Sequence, residues 1–408
     1  MAYPLRVFRR SAGFREVAVA KSWEEINSRI AKGDAVVLTA EEFAALAADQ
    51  GVKEAAKRVD VVTTGTFGPM CSSGVFLNFG HSDPPIRMGE ITLNDVPASG
   101  GLAAVDTYLG VTEPSRTRGI EYGGAHVIED LIRGHAVRLR ATGAGTDCYP
   151  RVEIDTWVTL EELNQAYFFN PRNAYQNYAV AVNTGDRLLN TYMGPLHPRL
   201  GNATFSSAGA LSPLLNDPTY RTIGVGTRCF VAGAPGFVAW QGTQHNPNQA
   251  RDEHGVPVSS AGTLAVIADL KQASPDFYSA ATMTGYGVSS FVGIGVPIPV
   301  LDEDLAATLA LTDAHLTATV YDYGVQRRSR PSLGLVTYAQ LRSGQIEVEG
   351  RKVPTGPISS LKVARRIASE LKSWVAERNF TLAPPVQLLP QPGSQGVKPL
   401  EITTGEAI

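Results

Sequence analysis

Two cysteines follow strand-like runs that give way to small residues, and this placement suits a reactive thiol. Cys71 follows the β-branched run that ends at Val62, and Cys148 follows an apolar and basic run that ends at Arg140. A buried strand that ends in glycine and hydroxyl residues leaves backbone N–H groups free to bind an anion. A cysteine there lies near positive potential, which favours the nucleophilic thiolate. A buried structural thiol is the alternative for each.

A polar segment from Asn170 to Tyr178 could hold a ligand for such a thiol. It reads NPRNAYQNY. Amides and phenols suit fixed hydrogen bonds to a polar ligand, and arginine suits a carboxylate or a similar oxyanion. The candidate binding residues of this segment are Arg172, Asn173, Tyr175, Gln176 and Asn177. The alternative is a polar turn that satisfies its own backbone, which is the commoner use of asparagine.

The elements that must position these residues alternate between helix and strand in the first part of the chain. Ser22 with Glu25 and Thr39 with Glu42 are capping boxes, and each predicts a helix that is followed by a short strand. This alternation indicates an α/β arrangement. Further along, Gly123 and Gly124 directly precede a predicted helix, an opening that lets an anion approach a helix N-terminus.

The remainder of the chain predicts more strands and a long closing helix. Short helices are expected at residues 100–106 and 160–168, and residues 179–300 are rich in strand-like runs. Residues 360–378 form the best amphipathic helix pattern. We therefore expect a mixed α and β fold: an α/β N-terminal part, a β-rich middle and a C-terminal amphipathic helix. One compact catalytic domain over residues 15–390 is predicted, with an N-terminal arm at 1–14 and a disordered tail at 391–408.

The totals exclude several classes of protein. A net charge of −3 over 408 residues gives no footprint for nucleic acid, which is not expected as a partner. No apolar run is long enough to span a membrane, and the start has no apolar signal region. The odd count of three cysteines favours a reducing compartment, so we expect a cytoplasmic protein. No local motif predicts a bound metal ion.

Long motifs give the chain a family resemblance over nearly its whole length. It resembles the homocysteine biosynthesis family, once catalogued only as a domain of unknown function. The motifs that carry the resemblance are TTGTFGPMCSSGVFLNFGHSDPPI, YGGAHVIEDLI, GTDCYPR, NPRNAYQNYA, LSPLLNDP and GYGVSSFVGIGVPIPVL. The longer members carry a C-terminal pair of nucleotide-binding CBS modules. This sequence ends at Ile408 without them, so regulation by adenosyl ligands is not expected.

The resemblance implies a sulfurtransferase that acts on a small aldehyde through a cysteine persulfide. In that family aspartate semialdehyde becomes homocysteine, and the cysteine of the GTDCYP motif, Cys148 here, is the one relied upon. Cys71 accompanies it as a relay or resolving thiol. His81 and His126 lie in matching motifs and could shuttle a proton, or be structural. Arg151 joins Arg172 as a candidate for the substrate carboxylate, with surface ion pairing as the alternative.

The expected partners follow from the same chemistry. They are the small aldehyde, a sulfur donor (sulfide or a persulfide), and an external two-electron reductant, which in this family is often a small iron–sulfur, ferredoxin-like protein. No tightly bound cofactor is expected. A homo-oligomer is compatible with the sequence. Two alternatives stay open: the same chemistry on sulfoacetaldehyde, giving coenzyme M, and a non-catalytic persulfide carrier or scaffold.

Overall fold

The computed structural model describes residues 20–402, and the predicted arm at 1–14 lies outside the described residues. The mixed α and β fold is confirmed. Both predicted capping boxes form, with Ser22 and Thr39 each accepting a hydrogen bond from the backbone of the acidic residue three positions on. The helices within this part of the chain are α1 Trp23–Lys32, α2 Ala40–Gln50, α3 Val52–Arg58, α4 Gly124–Ile132, α5 Pro213–Asn216, α6 Glu303–Leu309, α7 Tyr338–Arg342 and α8 Leu361–Ala376.

Strands predominate over helices, in agreement with the β-rich middle that the sequence predicted. In chain order they are β1 Val37–Thr39, β2 Val61–Thr63, β3 Thr66–Pro69, β4 Gly74–Asn78, β5 Glu90–Leu93, β6 Val96–Ser99, β7 Asp106–Gly110, β8 Pro114–Ser115, β9 Gly119–Gly123, β10 Val137–Thr142, β11 Glu153–Val158, β12 Gln165–Asn173, β13 Val180–Val182, β14 Leu189–Thr191, β15 Gly194–Leu196, β16 Ala203–Phe205, β17 Gly224–Val225, β18 Arg228–Val231, β19 Ala234–Gln241, β20 Leu264–Asp269, β21 Tyr278–Met283, β22 Gly287–Gly295, β23 Pro297–Pro299, β24 Thr317–Asp322, β25 Ser332–Thr337, β26 Gln345–Val348, β27 Arg351–Pro357 and β28 Gln387–Leu388.

Two large sheets and a small one organise these strands. The largest has thirteen strands in the order β11-β10-β5-β6-β7-β4-β12-β20-β19-β18-β22-β21, with β3 also paired to β22. The second has six strands in the order β25-β24-β13-β16-β27-β26. The third joins β1, β2 and β23. Two-stranded pairs form between β8 and β9, β14 and β15, and β17 and β28.

Helix α4 covers the inner face of the largest sheet. On β4, Val75 and Leu77 point to this face and are 0% and 1% exposed, whereas Phe76 between them is only half-buried. The buried residues of α4, among them Val127 and Leu131, belong to the same hydrophobic cluster. Alternation of apolar and polar residues with a period of two is what a sheet with one covered face requires.

Helix α8 closes the fold against β3 and β22, as the amphipathic pattern predicted. Its apolar stripe includes Ile367 and Leu371, which are fully buried with Phe67 of β3 and Phe230 of β18. Complete burial of each such aliphatic side chain contributes about 1.5–3 kcal/mol to stability. The packing of α8 therefore fixes β3, the strand that leads directly to Cys71.

Two predicted helices are wrong. Residues 100–106 form a loop that leads into β7, and residues 160–168 form a turn followed by β12. Glu162 does accept hydrogen bonds from Thr159, as a helix start would require. The chain then alternates exposed and buried side chains, because β12 is a strand between β4 and β20 in the middle of the sheet. Burial in the sheet outweighs the local helix-start signal.

The predicted disordered tail begins at residue 391 and is described up to Ile402, with no helix or strand over 391–402. Its first residues contact the body of the protein. The Asn248 side chain accepts a hydrogen bond from Gly393 N and donates one to Ser394 O. The disorder of the segment stays a prediction.

Candidate active site

A chamber of about 530 Å³ opens between the two large sheets. Five tyrosines and three arginines dominate its wall, and the residues that line it are Arg172, Tyr175, Tyr178, Ala179, Tyr192, Gln244, Asn246, Gln249, Ser259, Ser260, Ala261, Tyr321, Tyr323, Arg328, Ser329, Arg330 and Val397. A smaller recess of about 50 Å³ continues from it and shares the wall formed by Tyr175, Tyr178 and Tyr192. Cys71 lines this recess.

Cys71 lies on the turn between β3 and β4, where the residues around it are tightly held. Met70 N donates to Ser290 O of β22 at 2.6 Å, and Ser73 Oγ donates to Met70 O at 3.0 Å. Asn170 of β12 in turn donates to Ser73 Oγ at 2.8 Å. The turn is thus fixed from both neighbouring strands, and the half-buried thiol has a defined position in the recess.

One tyrosine hydroxyl contacts the Cys71 sulfur, and a second tyrosine, Tyr175, lines the same recess. The Tyr286 hydroxyl donates to Cys71 Sγ at 3.9 Å. Burial, aided by the neighbouring Cys71, raises the pKa of Tyr286 to about 12. Burial also raises the pKa of Tyr175 to about 12, against the opposing effect of Arg172. Both phenols are therefore protonated at neutral pH and can donate hydrogen bonds next to the thiol.

The arginines give the chamber its positive charge. Arg172 lies near the C-terminal end of β12 and lines the chamber together with Tyr175. Its Nε atom is buried without a hydrogen-bond partner. On the opposite side of the chamber, the Arg330 Nε is also buried without a partner, and its guanidinium lies 3.9 Å from the ring centre of Tyr323. Unsatisfied buried donors are costly, so these two groups indicate an anionic ligand.

The amides of the same segment serve a different purpose. Gln176 donates to Leu214 O and Pro218 O, and Asn177 donates to Pro257 O and Thr317 O. The side-chain oxygen of Gln176 accepts from the Tyr220 hydroxyl and from Gly262 N. The side-chain oxygen of Asn177 accepts from the Tyr338 hydroxyl and from Tyr178 N. Asn173 caps the turn by accepting from Ala174 N. None of the three amides lines the chamber, so they hold the segment that presents Arg172 and Tyr175.

Cys148 lies elsewhere, at the tip of an exposed turn. Two backbone hydrogen bonds close the turn beneath it. Thr146 N donates to Tyr149 O at 2.9 Å, and Tyr149 N donates to Thr146 O at 3.0 Å. The Cys148 side chain is exposed to solvent. A rigid, exposed thiol of this kind is accessible to a large reagent, including another protein.

His81 and Arg151 belong to the surroundings of Cys148. The ring of His81 stacks on Tyr149 with the centroids 6.2 Å apart. Arg151 donates to Asp83 O and Pro84 O at 2.7 and 2.9 Å. The guanidinium of Arg151 therefore fastens the loop after β4 to the Cys148 turn and does not face the chamber.

The two cysteines lie beyond opposite ends of β4. Cys71 precedes Gly74, the first residue of the strand, while the Cys148 turn packs against the loop that follows its last residue, Asn78. A strand of five residues spans about 13 Å. The structure thus brings Cys71, Arg172 and Tyr175 together, and brings Cys148 and His81 together, but as two separate groups.

Gly123, Gly124 and His126 form the start of α4 and line neither the chamber nor the recess. A Cβ at Gly124 would come within 1.8 Å of Gly110 O, so the close approach of two backbones requires glycine there. His126 Nδ1 accepts from Gly123 N at 3.1 Å, and burial lowers the pKa of the imidazole. His126 therefore acts as a neutral helix cap.

Several residues of the site were not predicted from the sequence. Tyr192, Tyr323 and Arg330 line the chamber, and Tyr286 contacts Cys71. They come from separate segments that only the fold brings together. A local pattern would have pointed to Tyr321 and Tyr323, since a strand that ends in two tyrosines and a glycine suits a binding wall. Within residues 20–402, no group of three His, Cys, Asp or Glu side chains could hold a metal ion.

Comparison with known proteins defines the family. The model of the family described as "Homocysteine biosynthesis enzyme, sulfur-incorporation" matches residues 35–382. The chain belongs to this family. Two relatives are both named L-aspartate semialdehyde sulfurtransferase. The one from Methanosarcina acetivorans is 52% identical over 376 residues, covering 92% of this chain and 73% of the relative. The one from Methanocaldococcus jannaschii is 49% identical over 386 residues, covering 91% and 74%.

The family and these relatives make the chain a sulfurtransferase of homocysteine biosynthesis. No solved structure was found to match it. Among the described helices, none is long and apolar enough to cross a membrane.

Proposed function

We propose that this enzyme converts L-aspartate semialdehyde to homocysteine in the chamber beside Cys71. The observation that carries the proposal is the shared wall. Tyr175, Tyr178 and Tyr192 line both the recess that holds the Cys71 thiol and the chamber that holds Arg172, whose Nε has no partner within the protein. A small aldehyde with a carboxylate needs these three kinds of group. The name of the two relatives supports this choice of aldehyde.

Each group has a defined task in this proposal. Arg172 binds the substrate carboxylate, using the Nε donor that has no partner within the protein. Tyr286 or Tyr175 donates to the aldehyde oxygen, since both phenols stay protonated. The carbonyl carbon then faces the Cys71 sulfur, and positioning of this kind accounts for much of enzymatic rate enhancement.

The balance of the reaction sets the need for electrons. Aldehyde, hydrogen sulfide, two protons and two electrons give the thiol and water. The sulfide adds to the carbonyl carbon, water leaves, and the resulting thiocarbonyl takes up two electrons and two protons. Where the sulfur arrives as a persulfide, cleavage of its S–S bond takes a further two electrons. We propose that a separate ferredoxin-like protein supplies these electrons.

The sulfur enters at Cys148 in this proposal. Its exposure at the tip of a turn supports the role of acceptor from a donor, either sulfide with an oxidant or a persulfide. The persulfide sulfur then passes to Cys71 by exchange: the Cys71 thiolate attacks the outer sulfur, and Cys148 leaves as a thiolate. The exchange conserves electrons. His81, stacked beside the turn on Tyr149, is placed to take up or return a proton there.

The test is an anaerobic assay of homocysteine formed from L-aspartate semialdehyde and a strong low-potential reductant, with the sulfur supplied either by a persulfide donor or by sulfide. We expect Cys148→Ala to abolish product from the persulfide donor, because this sulfur enters at Cys148 and a catalytic nucleophile contributes several orders of magnitude in rate. Cys71→Ala should retain measurable activity when sulfide is abundant, since free sulfide can enter the chamber. Cys229→Ala is the matched control, because that thiol is fully buried away from both groups.

Undiminished turnover in Cys148→Ala with the persulfide donor would refute its role as sulfur carrier. Loss in both single variants would mean that the two thiols act as one unit. A wild-type enzyme that accepts sulfur but makes no thiol from this aldehyde or from sulfoacetaldehyde would be a carrier and not a reductive sulfurtransferase.

A further inference from the structure

One buried side chain of β12, Asn170, is bonded at its two ends to the two parts of the candidate site. Its Nδ2 donates to Ser73 Oγ at 2.8 Å, and its Oδ1 accepts from Arg172 N at 2.9 Å. A backbone N–H requires an oxygen as its acceptor, so the bond from Arg172 fixes the orientation of the amide. Asn170 is 0% exposed and Ser73 is 2% exposed, so solvent does not compete for either bond.

The Nδ2 end of Asn170 holds the turn that carries Cys71. The Ser73 hydroxyl, which accepts from Asn170, donates in turn to Met70 O at 3.0 Å. Met70 and Ser73 are the residues on either side of the Cys71–Ser72 pair. These two consecutive hydrogen bonds therefore connect the backbone of the thiol turn to β12.

The Oδ1 end of Asn170 stabilises a bulge in β12 that contains Arg172. Between Asn170 and Asn173, three steps along β12 match two steps along β20. Pro171 has no N–H for a neighbouring strand, and its carbonyl oxygen accepts from Thr243 N at 2.8 Å. The Arg172 N–H bonds to Asn170 Oδ1. A bulge redirects a side chain relative to a regular strand, and here the Arg172 side chain lines the chamber.

We propose that Asn170 is a positioning residue that sets the distance between the Cys71 sulfur and the Arg172 guanidinium. The inference rests on the proposed function, in which Arg172 binds the substrate carboxylate while the aldehyde carbon faces Cys71. A short substrate that is bound at one end reacts at the other only where the two groups are correctly spaced. A misplacement of about 1 Å can lower a rate by about 100-fold. Asn170 lines neither the chamber nor the recess, so it acts through these two residues.

The experiment measures this spacing without turnover, through alkylation of the thiols by iodoacetate and by iodoacetamide. The two reagents have nearly the same shape, but only iodoacetate carries a carboxylate for Arg172. Peptide mass spectrometry on the full chain gives both rates at Cys71, and the exposed Cys148 is the internal control. In the wild type we expect the ratio of the iodoacetate rate to the iodoacetamide rate to be about 10-fold higher at Cys71 than at Cys148, the effect of one charge-assisted hydrogen bond.

Removal of the connection should reduce this preference at Cys71 alone. Asn170→Ala should lower the ratio at Cys71 by about 3- to 10-fold and leave the ratio at Cys148 unchanged. Ser73→Ala breaks only the bond on the thiol side and should lower the ratio as well. The double variant should resemble Asn170→Ala, because the two residues act through one shared bond. Ser115→Ala is the matched control, since this serine is equally buried but bonds to Asp95.

The preference itself is traced with Arg172→Gln, which should abolish it. A preference that is absent from the wild type, or unchanged in Arg172→Gln, would refute the carboxylate site of the proposed function and the inference with it. A preference that persists in Asn170→Ala overturns the inference alone and leaves the role of Arg172 standing.

A general loosening of the fold gives a different result. It would change the ratios at Cys71 and Cys148 together, and an equal fall at both cysteines overturns the inference. Thermal melting shows whether each variant folds. Should Asn170→Ala fail to fold, Ser73→Ala decides the question, because an unchanged ratio in that variant also overturns the positioning role.

Discussion

Arg172 and Arg151 looked equivalent in the sequence, yet their guanidinium groups have different partners. Arg151 donates from Nε and from one terminal nitrogen to two carbonyl oxygens of the loop after β4, and it does not line the chamber. Arg172 faces the chamber with a buried Nε that no protein group satisfies. A buried donor without a partner costs about 1–3 kcal/mol, which a bound carboxylate would recover. Arg172 is therefore the residue that binds the substrate carboxylate in the proposed reaction.

Replacement of these two arginines should separate binding from structure. We expect Arg172→Gln to raise KM for the aldehyde by about 10- to 100-fold, the effect of losing a charge-assisted hydrogen bond. Arg151→Gln, the matched control, should leave KM within about 3-fold and loosen only the Cys148 turn. Steady-state kinetics with saturating sulfide and reductant measures both. A larger rise of KM in Arg151→Gln would contradict the assignment of the carboxylate site.

Residue types alone could predict the polar segment but not which of its members face the ligand. Arg172 and Tyr175 were predicted as binding residues and line the chamber. Gln176 and Asn177 were predicted as well, but their side-chain amides donate to backbone carbonyl oxygens of the protein. The difference depends on which way each side chain points after β12 ends, and a single sequence gives no measure of it. Tyr192 has no local signal at all, because its neighbours in space come from other sheets.

At the scale of elements, Asn177 fastens the segment after β12 to the six-stranded sheet and its neighbours. Its amide donates to Pro257 O and to Thr317 O of β24 at 2.7 Å each, and its oxygen accepts from Tyr338 at 2.6 Å. Asn177 is 0% exposed, so water cannot replace these bonds. This one side chain therefore fixes the segment that presents Arg172 and Tyr175 to the chamber.

Loss of that link should destabilise the fold. Asn177→Ala removes the partner of two carbonyl oxygens, one hydroxyl and the Tyr178 N–H, so we expect a loss of about 2–4 kcal/mol in the free energy of unfolding. Asn173→Ala is the matched control, because the Asn173 amide nitrogen already has no partner and only one short local bond is lost. Its cost should be about 1 kcal/mol. Urea unfolding followed by circular dichroism measures both, and equal losses would contradict the argument.

Element prediction succeeded where caps and periodicity agreed and failed where they conflicted. The capping boxes at Ser22 and Thr39 begin real helices, and the apolar stripe of α8 is buried as expected. The pair Thr159 and Glu162 forms its hydrogen bonds but is followed by a strand. There the period-two burial of residues 165–170 decides the structure, since β12 lies between two other strands. Long-range strand pairing of this kind leaves little local trace in a sequence.

At the scale of the whole molecule, the proposed mechanism requires the two thiols to exchange sulfur although they lie beyond opposite ends of β4. Transfer of a persulfide sulfur requires direct contact of the sulfur atoms, because the bond that forms is about 2 Å long. Strand β4 alone spans about 13 Å. Cys148 is exposed on a closed turn, while Cys71 lies in a recess of the chamber. A Cys148 turn of one copy that reaches the chamber of another copy would meet both requirements.

This arrangement predicts complementation between two chains that each lack one thiol. Cys71→Ala keeps the exposed thiol, and Cys148→Ala keeps the thiol of the chamber. When the two are co-expressed with different affinity tags and purified through both, the mixed assembly should make homocysteine from a limiting persulfide donor faster than the two variants do separately. The double variant paired with either single variant is the control, because that pair lacks one of the two thiols. A mixed assembly no faster than the sum of its parts would mean that each turn reaches its own chamber, which requires the Cys148 turn to move by more than the length of β4.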